Sequence, residues 1–341
     1  MPVTLSTQFH VDTQFTTQDL ALSLDMFSDR VLKPAVAAIA NKIDRDGLVM
    51  AKNNTANIVG TAGTPPTGLI TYLTAAAYLD AEGAPRDGRR SCIVEPFTSA
   101  TIVDSLKGLF VPQEAIGEQY RKGLMGRDSA GMNWKMDQNV VSQTFGSSST
   151  AVLSCNTSTA TGFLTSGWAS TSTIALSATT AAGNLNVGDV IQIANVYAVN
   201  PQNRQAYGSN KLRNFVVTAA ATVATSGTTS VTVSPAVITA GQFQNVSVTS
   251  PGASTVTPFN NTGTVSPQNI IMHRNAFCLA VADLELPEGV HFAGRASDKE
   301  IGLSMRVVRQ YTINNDSIPT RLDVLYGWAP LYPELACRVA A

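Results

Sequence analysis

Hydrophobic and polar residues alternate along the first residues of the chain. Val3, Leu5, Thr7, Phe9 and Val11 are separated by polar side chains, which is the period of a strand with one buried face. The pattern predicts an opening strand with no partner before it, as in a hairpin arm whose first half is absent.

The period then becomes that of a helix. Apolar residues recur at every fourth position, at Phe27, Val31, Ala35, Ile39 and Ile43. Asp25 or Ser28 is placed to cap the start of such a helix. Pro34 lies inside the stripe and predicts either a kink or a helix that begins near Lys33.

Further elements follow along the chain. Residues 69–79 and 98–106 show two more helical patterns. Near the C-terminus, two β-prone runs between residues 303 and 326 flank the turn signal 314–317 and predict a long hairpin. The aromatic and Pro-rich residues 328–333 are expected to pack down as a short tail.

The composition shifts between residues 147 and 263. Ser, Thr, Ala, Val, Asn and Gly dominate there, and Asp189 is the only acidic residue. Short β-prone runs separated by turn signals predict a compact all-β barrel or sandwich, and their regular spacing argues against disorder. The predicted strands are 151–155, 173–176, 189–194, 215–218, 230–233 and 246–249.

One segment of this β-module is long, polar and basic. Residues 199–214 contain Arg204, Lys211 and Arg213, and a connection of that length in a small β-domain is typically functional or mobile. From the residues alone, a contact surface and a solvated surface loop are both open.

Charge narrows the function classes. Lys plus Arg number 23 and Asp plus Glu 24, so the chain lacks the basic surplus that neutralises phosphates in nucleic-acid-binding domains. Charged residues make up 14% of the chain, against roughly 25% in an average globular protein. This suits either surfaces covered by neighbouring subunits or a β-rich extracellular module.

Targeting signals and cysteines bear on the cellular location of the protein and on possible metal binding. The chain has no secretory signal and no apolar stretch of membrane-spanning length, which predicts a soluble protein made in a cytosol. The cysteines are far apart and are predicted to be free thiols rather than zinc ligands: Cys92, Cys155, Cys278 and Cys337.

The sequence has no motif with the spacing of a catalytic site. His10, His273 and His291 lie far apart, and the chain lacks a nucleophile elbow, a Walker loop and a dinucleotide fingerprint. Three charged clusters are interpreted as structural or solvated: Asp44 with Asp46, Asp283 with Glu285, and the basic turn 86–90. We therefore predict no enzymatic activity, no cofactor and no metal site.

Four segments, taken in order, resemble one protein family. They are 9–30, 33–48, 176–193 and 324–336. Together with the succession of strand arm, long helix, mixed α/β region, β-module and closing hairpin, they are similar to the major capsid (coat) proteins of tailed bacteriophages. The most similar branch is that of short-tailed phages with an inserted β-barrel domain. The likeness spans nearly the whole chain and depends on the combination of segments, not on a chemical motif.

The resemblance implies an α+β fold of the Hong-Kong-phage capsid type, with an inserted all-β barrel or immunoglobulin-like domain. Family members carry an N-terminal arm and an outgoing limb before the segment that matches residue 3, and this sequence departs from that pattern. The implied parts are the returning limb of the extended loop (1–24), the spine helix (25–57), the axial and peripheral core (58–150 and 264–300), the inserted β-domain (151–263), and the peripheral-domain hairpin with the C-terminal tail (301–341).

The resemblance also implies a function. The chain would be a major capsid protein that assembles with itself, as pentamers and hexamers, into an icosahedral phage head enclosing DNA without sequence-specific binding and without a membrane. Scaffolding and portal proteins are implied partners, and the virion, assembled in the host cytoplasm, is the implied location. Arg204, Lys211 and Arg213 would contact a neighbouring capsomer as ion-pair donors.

Two alternatives come from the residues alone. An adhesin or carbohydrate-binding protein that uses the β-module would need clustered exposed aromatic side chains. A hydrolase with an accessory β-domain would need the three histidines for its activity.

Overall fold

The computed structural model describes residues 3–18, 32–106, 130–147, 151–157, 163–208, 211–248, 254–298 and 302–341. Within these residues the helices are α1 (Lys33–Asn54), α2 (Leu69–Ala81) and α3 (Pro96–Leu106), and a 3-10 turn spans Pro333–Leu335. The strands are β1 (Thr7–Thr16), β2 (Ile58–Gly60), β3 (Arg90–Val94), β4 (Asn133–Met136), β5 (Ser142–Thr144), β6 (Leu153–Cys155), β7 (Ser172–Ala178), β8 (Gly183–Leu185), β9 (Val190–Ala198), β10 (Leu212–Val217), β11 (Ala221–Val223), β12 (Thr229–Ser234), β13 (Val246–Val248), β14 (Ser254–Pro258), β15 (Val265–His273), β16 (Phe277–Ala282), β17 (Phe292–Asp298), β18 (Leu303–Arg309), β19 (Ser317–Pro330) and β20 (Ala336–Ala340).

The chain divides into two compact units. Unit A comprises Met1–Met50 and Phe277–Leu331, and unit B comprises Ala51–Ala276 and Tyr332–Ala341. Each unit has its own hydrophobic core. Of the segment predicted to form the peripheral-domain hairpin and the C-terminal tail, 301–341, the part up to Leu331 belongs to unit A and the part from Tyr332 to unit B.

Unit A is built on one antiparallel sheet in the order β1-β19-β18-β17, with β16 also paired to β19. In β1 half-buried and exposed residues alternate, as predicted, although the strand begins at Thr7. Its partner is β19, which faces it from Thr7 opposite Tyr326 to Thr16 opposite Ser317. Within the described residues, the partner of β1 thus comes from near the other end of the chain.

The first part of α1 packs on this sheet. Ala35, Ile39 and Ile43 join Leu322 and Val324 in the core. Leu32, just before the range of α1, already has helical backbone geometry, and residues 19–31 lie outside the described residues. The choice between a kink at Pro34 and a helix that begins near Lys33 therefore stays a prediction. The proposed caps at residues 25 and 28 lie outside the described residues.

Gly47 allows α1 to pass directly over an indole ring. A Cβ atom at this position would lie 2.6 Å from Cζ2 of Trp328, and the Trp328 Nε1–H donates to the carbonyl oxygen of Ile43 at 2.9 Å. The sequence placed Trp328 in a packed tail, but it belongs to β19, which continues to Pro330. The predicted hairpin is confirmed by the pairing of β18 with β19, and its second strand is longer than expected.

Unit B contains a mixed sheet in the order β2-β20-β15-β3-β4, with β5 also paired to β15. The pairs β2–β20 and β3–β4 are parallel, and β15 is antiparallel to its neighbours. Tyr72 and Leu79 of α2 are fully buried against Cys92, Ile271 and Cys337 of this sheet. The two helices predicted at 69–79 and 98–106 are thus present as α2 and α3.

Strands β6 to β14 lie in the chain between β5 and β15, which are paired with each other. Seven of these nine described strands form one sheet in the order β10-β12-β7-β6-β14-β9-β13, while β8 and β11 pair with each other. The additional pairing of β9 with β10 closes the first six strands of that order into a ring. The barrel alternative is therefore correct. Its interior is filled by side chains such as Ile174, Leu176, Ile193, Phe215 and Val233, so the ring encloses a packed core.

All six predicted β-runs of the module correspond to strands. Three strands were not predicted: β8, β11 and β14. Strands β8 and β11 have only three residues each and pair with each other. A run of three residues is too short to show a clear alternation of apolar and polar positions. The four cysteines are free, as expected, and Cys92, Cys155 and Cys337 are buried.

Candidate functional site

The basic segment 199–214 begins as a closed turn. Val199 is bridged to Ala206, the Asn200 N–H donates to the Gln205 carbonyl at 2.9 Å, and the Arg204 N–H donates to the Asn200 carbonyl at 2.8 Å. Residues 201–206 of this turn are exposed. We call residues 201–206 the tip.

Arg204 occupies the tip and has φ of 57°, in the left-handed region. Asn203 supports this geometry because its Oδ1 accepts the Gln205 N–H at 2.9 Å, the local bond through which Asn favours turns. The Arg204 side chain is exposed.

Arg213 lies on β10 at the base of the segment and is buried. Its Nη1 donates to Oε1 of Glu82, and the side chains of the two residues are 6% and 10% exposed. Burial raises the pKa of Glu82, while the adjacent Arg213 opposes that rise. Because each charge is buried against the other, the pair is costly to break from one side.

Lys211 and Tyr207 contact the same end of α2. The Lys211 ammonium lies 3.2 Å from the centroid of the Tyr78 ring, a cation–π arrangement, and burial lowers the pKa of Lys211. The Tyr207 hydroxyl donates to the carbonyl oxygen of Ala81. The base of the segment is thus held at the C-terminal end of α2.

The structure therefore separates the three predicted contact residues. Lys211 and Arg213 have partners within the chain, whereas Arg204 is presented on the exposed tip. Sequence reasoning missed Glu82 and Tyr207, which belong to the same arrangement. A contact of any of the three with a second subunit stays a prediction.

The basic turn 86–90 is exposed only in part. Arg86 and Arg89 are 75% and 62% exposed in their side chains, as predicted for a solvated turn. Arg90 is buried, contrary to that prediction, because its Nη2 bonds Asp80 Oδ1 at 2.7 Å and the Ala84 carbonyl at 2.6 Å.

The three histidines were considered as catalytic candidates in the sequence, and the structure shows where each of them lies. His10 is exposed, as predicted, and His291 is exposed as well. His273 is buried, with Nε2 3.2 Å from Asp87 Oδ1. Asp283, one of the carboxylates considered for acid–base chemistry, pairs with Arg295 at 3.0 Å. The three imidazoles lie on separate elements, as the sequence suggested.

Two further features bear on function. Among the described residues, no group of three or more His, Cys, Asp or Glu side chains is arranged to hold a metal ion. In the same part of the chain, the helices are too short or too polar to cross a bilayer.

Three solved structures that are similar to this chain have titles that name phages. "Mycobacterium phage Che8" is 10% identical, with 99% of this chain and 71% of that chain covered and a TM-score of 0.42. "Capsid structure of the Cyanophage P-SCSP1u" is 10% identical, with 98% and 72% covered and a TM-score of 0.44. "Asymmetric unit of bacteriophage PhiM1 mature capsid" is 10% identical, with 99% and 72% covered and a TM-score of 0.42. Similarity at these scores carries no argument by itself.

Sequence comparison is decisive. No curated protein sequence matches the chain. The family model described as "P22 coat protein - gene protein 5" matches residues 3–338, which is nearly the whole chain and includes both units. The chain therefore belongs to the P22 coat protein family and is a major capsid subunit of a phage head.

Proposed function

We propose that this chain assembles with itself, as pentamers and hexamers, into an icosahedral shell that encloses DNA. The observation that carries the proposal is the family match over residues 3–338. In this proposal the fold is of the Hong-Kong-phage type, and the barrel β6–β14 is a domain inserted between β5 and β15. The direct pairing of β5 with β15 supports this, because the capsid sheet would be continuous without the barrel.

The proposal assigns no catalytic role to any residue. It includes scaffolding and portal proteins as assembly partners, and assembly in the host cytoplasm into a virion. DNA would be enclosed without sequence-specific contacts, which fits a formal net charge of -1. The adhesin alternative is not favoured, since only Trp168 and Phe243 are exposed aromatic residues of the described barrel.

We further propose that the tip touches a neighbouring capsomer through Arg204. Lys211 contacts the Tyr78 ring and Arg213 is paired with Glu82. The role of these two cations would be to hold the base of the segment in place. Arg204 has an exposed guanidinium on a turn fixed by backbone and Asn203 hydrogen bonds. A fixed cation of this kind suits an ion pair at the rim of an interface.

The test is assembly of Arg204→Glu. An exposed ion pair contributes about 0.2–1 kcal/mol, and a shell repeats each contact many times. We therefore expect the variant to need a several-fold higher protein concentration to form shells, as seen by light scattering and negative-stain electron microscopy. The unassembled variant should unfold at the same temperature as the parent, because Arg204 is exposed.

Two controls separate the parts of the proposal. Arg204→Lys keeps the charge and should assemble nearly as well, while Arg274→Glu makes the same charge change at another exposed position of unit B. If Arg204→Glu and Arg274→Glu assemble equally well, the proposed contact between the tip and a neighbouring capsomer is refuted. If the parent chain forms no shells or capsomers with a scaffolding protein supplied, self-assembly itself is refuted.

A further inference from the structure

A cluster of charged and polar side chains lies at the start of β9, one of the strands of the barrel. Asp189, the only acidic residue between 147 and 263, is 1% exposed. Its Oδ2 accepts the N–H groups of Gly146 at 2.9 Å and Asn186 at 2.8 Å, and its Oδ1 accepts Gln143 Nε2 at 2.9 Å. The carboxylate is therefore well supplied with donors.

Two cations interact electrostatically with this carboxylate. They are Lys52 of α1, which donates to Gln143 Oε1 at 2.5 Å, and Arg338 of β20, which also interacts with Lys52. With both cations protonated, the cluster carries one positive charge more than it carries negative charge. An excess charge in a site shielded from water is unfavourable unless a counterion joins it.

Arg338 is the member of the cluster with unused bonding capacity. It is 0% exposed, yet none of Nε, Nη1 and Nη2 has a hydrogen-bond acceptor among the described residues. A guanidinium has five N–H donors, and Ile58 and Ala340, its neighbours in the sheet, belong to an apolar cluster with Phe145 and Val190. The N–H donors of Arg338 thus lack hydrogen-bond acceptors among the described residues.

We propose that a single small monovalent anion of the chloride type binds beside the Arg338 guanidinium. It accepts the unused N–H donors and balances the excess positive charge that Arg338 and Lys52 create around Asp189. A water molecule could accept hydrogen bonds from Arg338, but it would not balance the excess positive charge. A divalent anion such as sulfate is less suitable, because its charge would exceed the single excess positive charge. The site goes beyond capsid assembly and concerns how the barrel is fixed to the sheet of unit B.

The test compares salts at constant ionic strength. The purified, unassembled chain is kept in sodium gluconate, and chloride replaces gluconate stepwise while the unfolding temperature is recorded. A specific site predicts a saturable rise of about 3 °C once chloride exceeds its dissociation constant about tenfold. Sulfate at the same ionic strength should give no saturable rise, only the gradual increase that follows from its exclusion from the protein surface.

Variants identify the site. Arg338→Met fills the same space without donors or charge and should abolish the chloride response, whereas Arg204→Met removes an exposed arginine and should leave the response unchanged. If the Arg338 variant does not fold, bromide-soaked crystals of the parent chain give an independent answer, since an anomalous peak is expected beside the guanidinium. The proposal fails if chloride and gluconate act alike, if both variants respond like the parent chain, or if the anomalous map holds no bromide there.

Discussion

Arg213 and Arg338 are both buried arginines of unit B, but their guanidinium groups have different surroundings. Arg213 is ion-paired with Glu82 through Nη1, while its buried Nε has no acceptor among the described residues. Arg338 makes no hydrogen bond through any of its three nitrogens in that part of the chain. The carboxylate that interacts electrostatically with Arg338, that of Asp189, accepts hydrogen bonds from Gly146, Asn186 and Gln143 instead.

The difference shows that burial alone does not make a charged side chain a stabilising one. A buried cation with a partner is difficult to replace, because its removal strands the opposite charge. A buried cation whose donors are unused contributes little to folding unless something else binds to it. We therefore expect the same substitution to affect stability very differently at the two arginines.

The largest effect is expected for Arg213→Met. The variant leaves the Glu82 carboxylate buried and unpaired, so we expect a loss of about 3–5 kcal/mol in the free energy of unfolding measured with urea at neutral pH. Since the pKa of Glu82 is already raised by burial, its carboxyl group will be protonated more readily in the variant. The loss should shrink as the pH falls toward the ordinary value of 4.5.

A double-mutant cycle provides the control for this pair. Combining Arg213→Met with Glu82→Met removes both charges and should recover most of the lost stability. If the double variant is as unstable as Arg213→Met, the loss comes from packing around the guanidinium and not from the stranded charge.

A much smaller effect is expected for Arg338→Met. In gluconate, where no chloride is present, the free energy of unfolding should change by less than about 1 kcal/mol or increase, because a well-packed apolar side chain replaces an unsatisfied cation. The same urea titration measures it beside Arg213→Met. A loss as large as that of Arg213→Met would show that Arg338 already has a strong partner within the chain.

The local elements could be predicted from the sequence, because they depend on periods of two and near four residues. The alternation in β1, the stripe in α1 and the six β-runs of the barrel are local patterns. Each appears in the structure, the stripe from Ala35 to Ile43, where its residues are described. The pairing of β1 with β19 could not be predicted in this way. It joins opposite ends of the chain, and either strand alone is compatible with several partners.

The site residues show the same limit. The basic segment was recognised from its length and charge, but which of its cations stay exposed depends on Glu82 and Tyr78, which lie on another element far away in the sequence. The burial of Arg338 had a weak local signal, since it stands alone in the otherwise apolar residues 336–341. Its missing partners are a property of three-dimensional packing and leave no trace in the sequence.

The smallest effect concerns Lys52, the second cation of the Arg338 cluster. Burial, with the nearby Arg338, lowers the pKa of Lys52 to about 8, against an opposing effect of Asp189. Between about pH 8 and the ordinary value of 10.5 the unfolded chain therefore binds more protons at this position than the folded chain does. The Lys52 contribution to stability should accordingly rise with pH across this window.

This contribution can be isolated as a difference between two proteins. Tyr72 and Cys337 have raised pKa values caused mainly by burial, and they oppose the rise at high pH, so Lys52→Met is compared with the parent chain in urea titrations across the window. The parent should gain stability relative to the variant as the pH increases. Lys42→Met, which removes a partly exposed lysine from the same helix, should show no such trend. A parent-minus-variant difference that stays constant with pH would mean that Lys52 is better solvated than its neighbours Gln143 and Arg338 indicate, and the excess charge assigned to the cluster would then be screened by water.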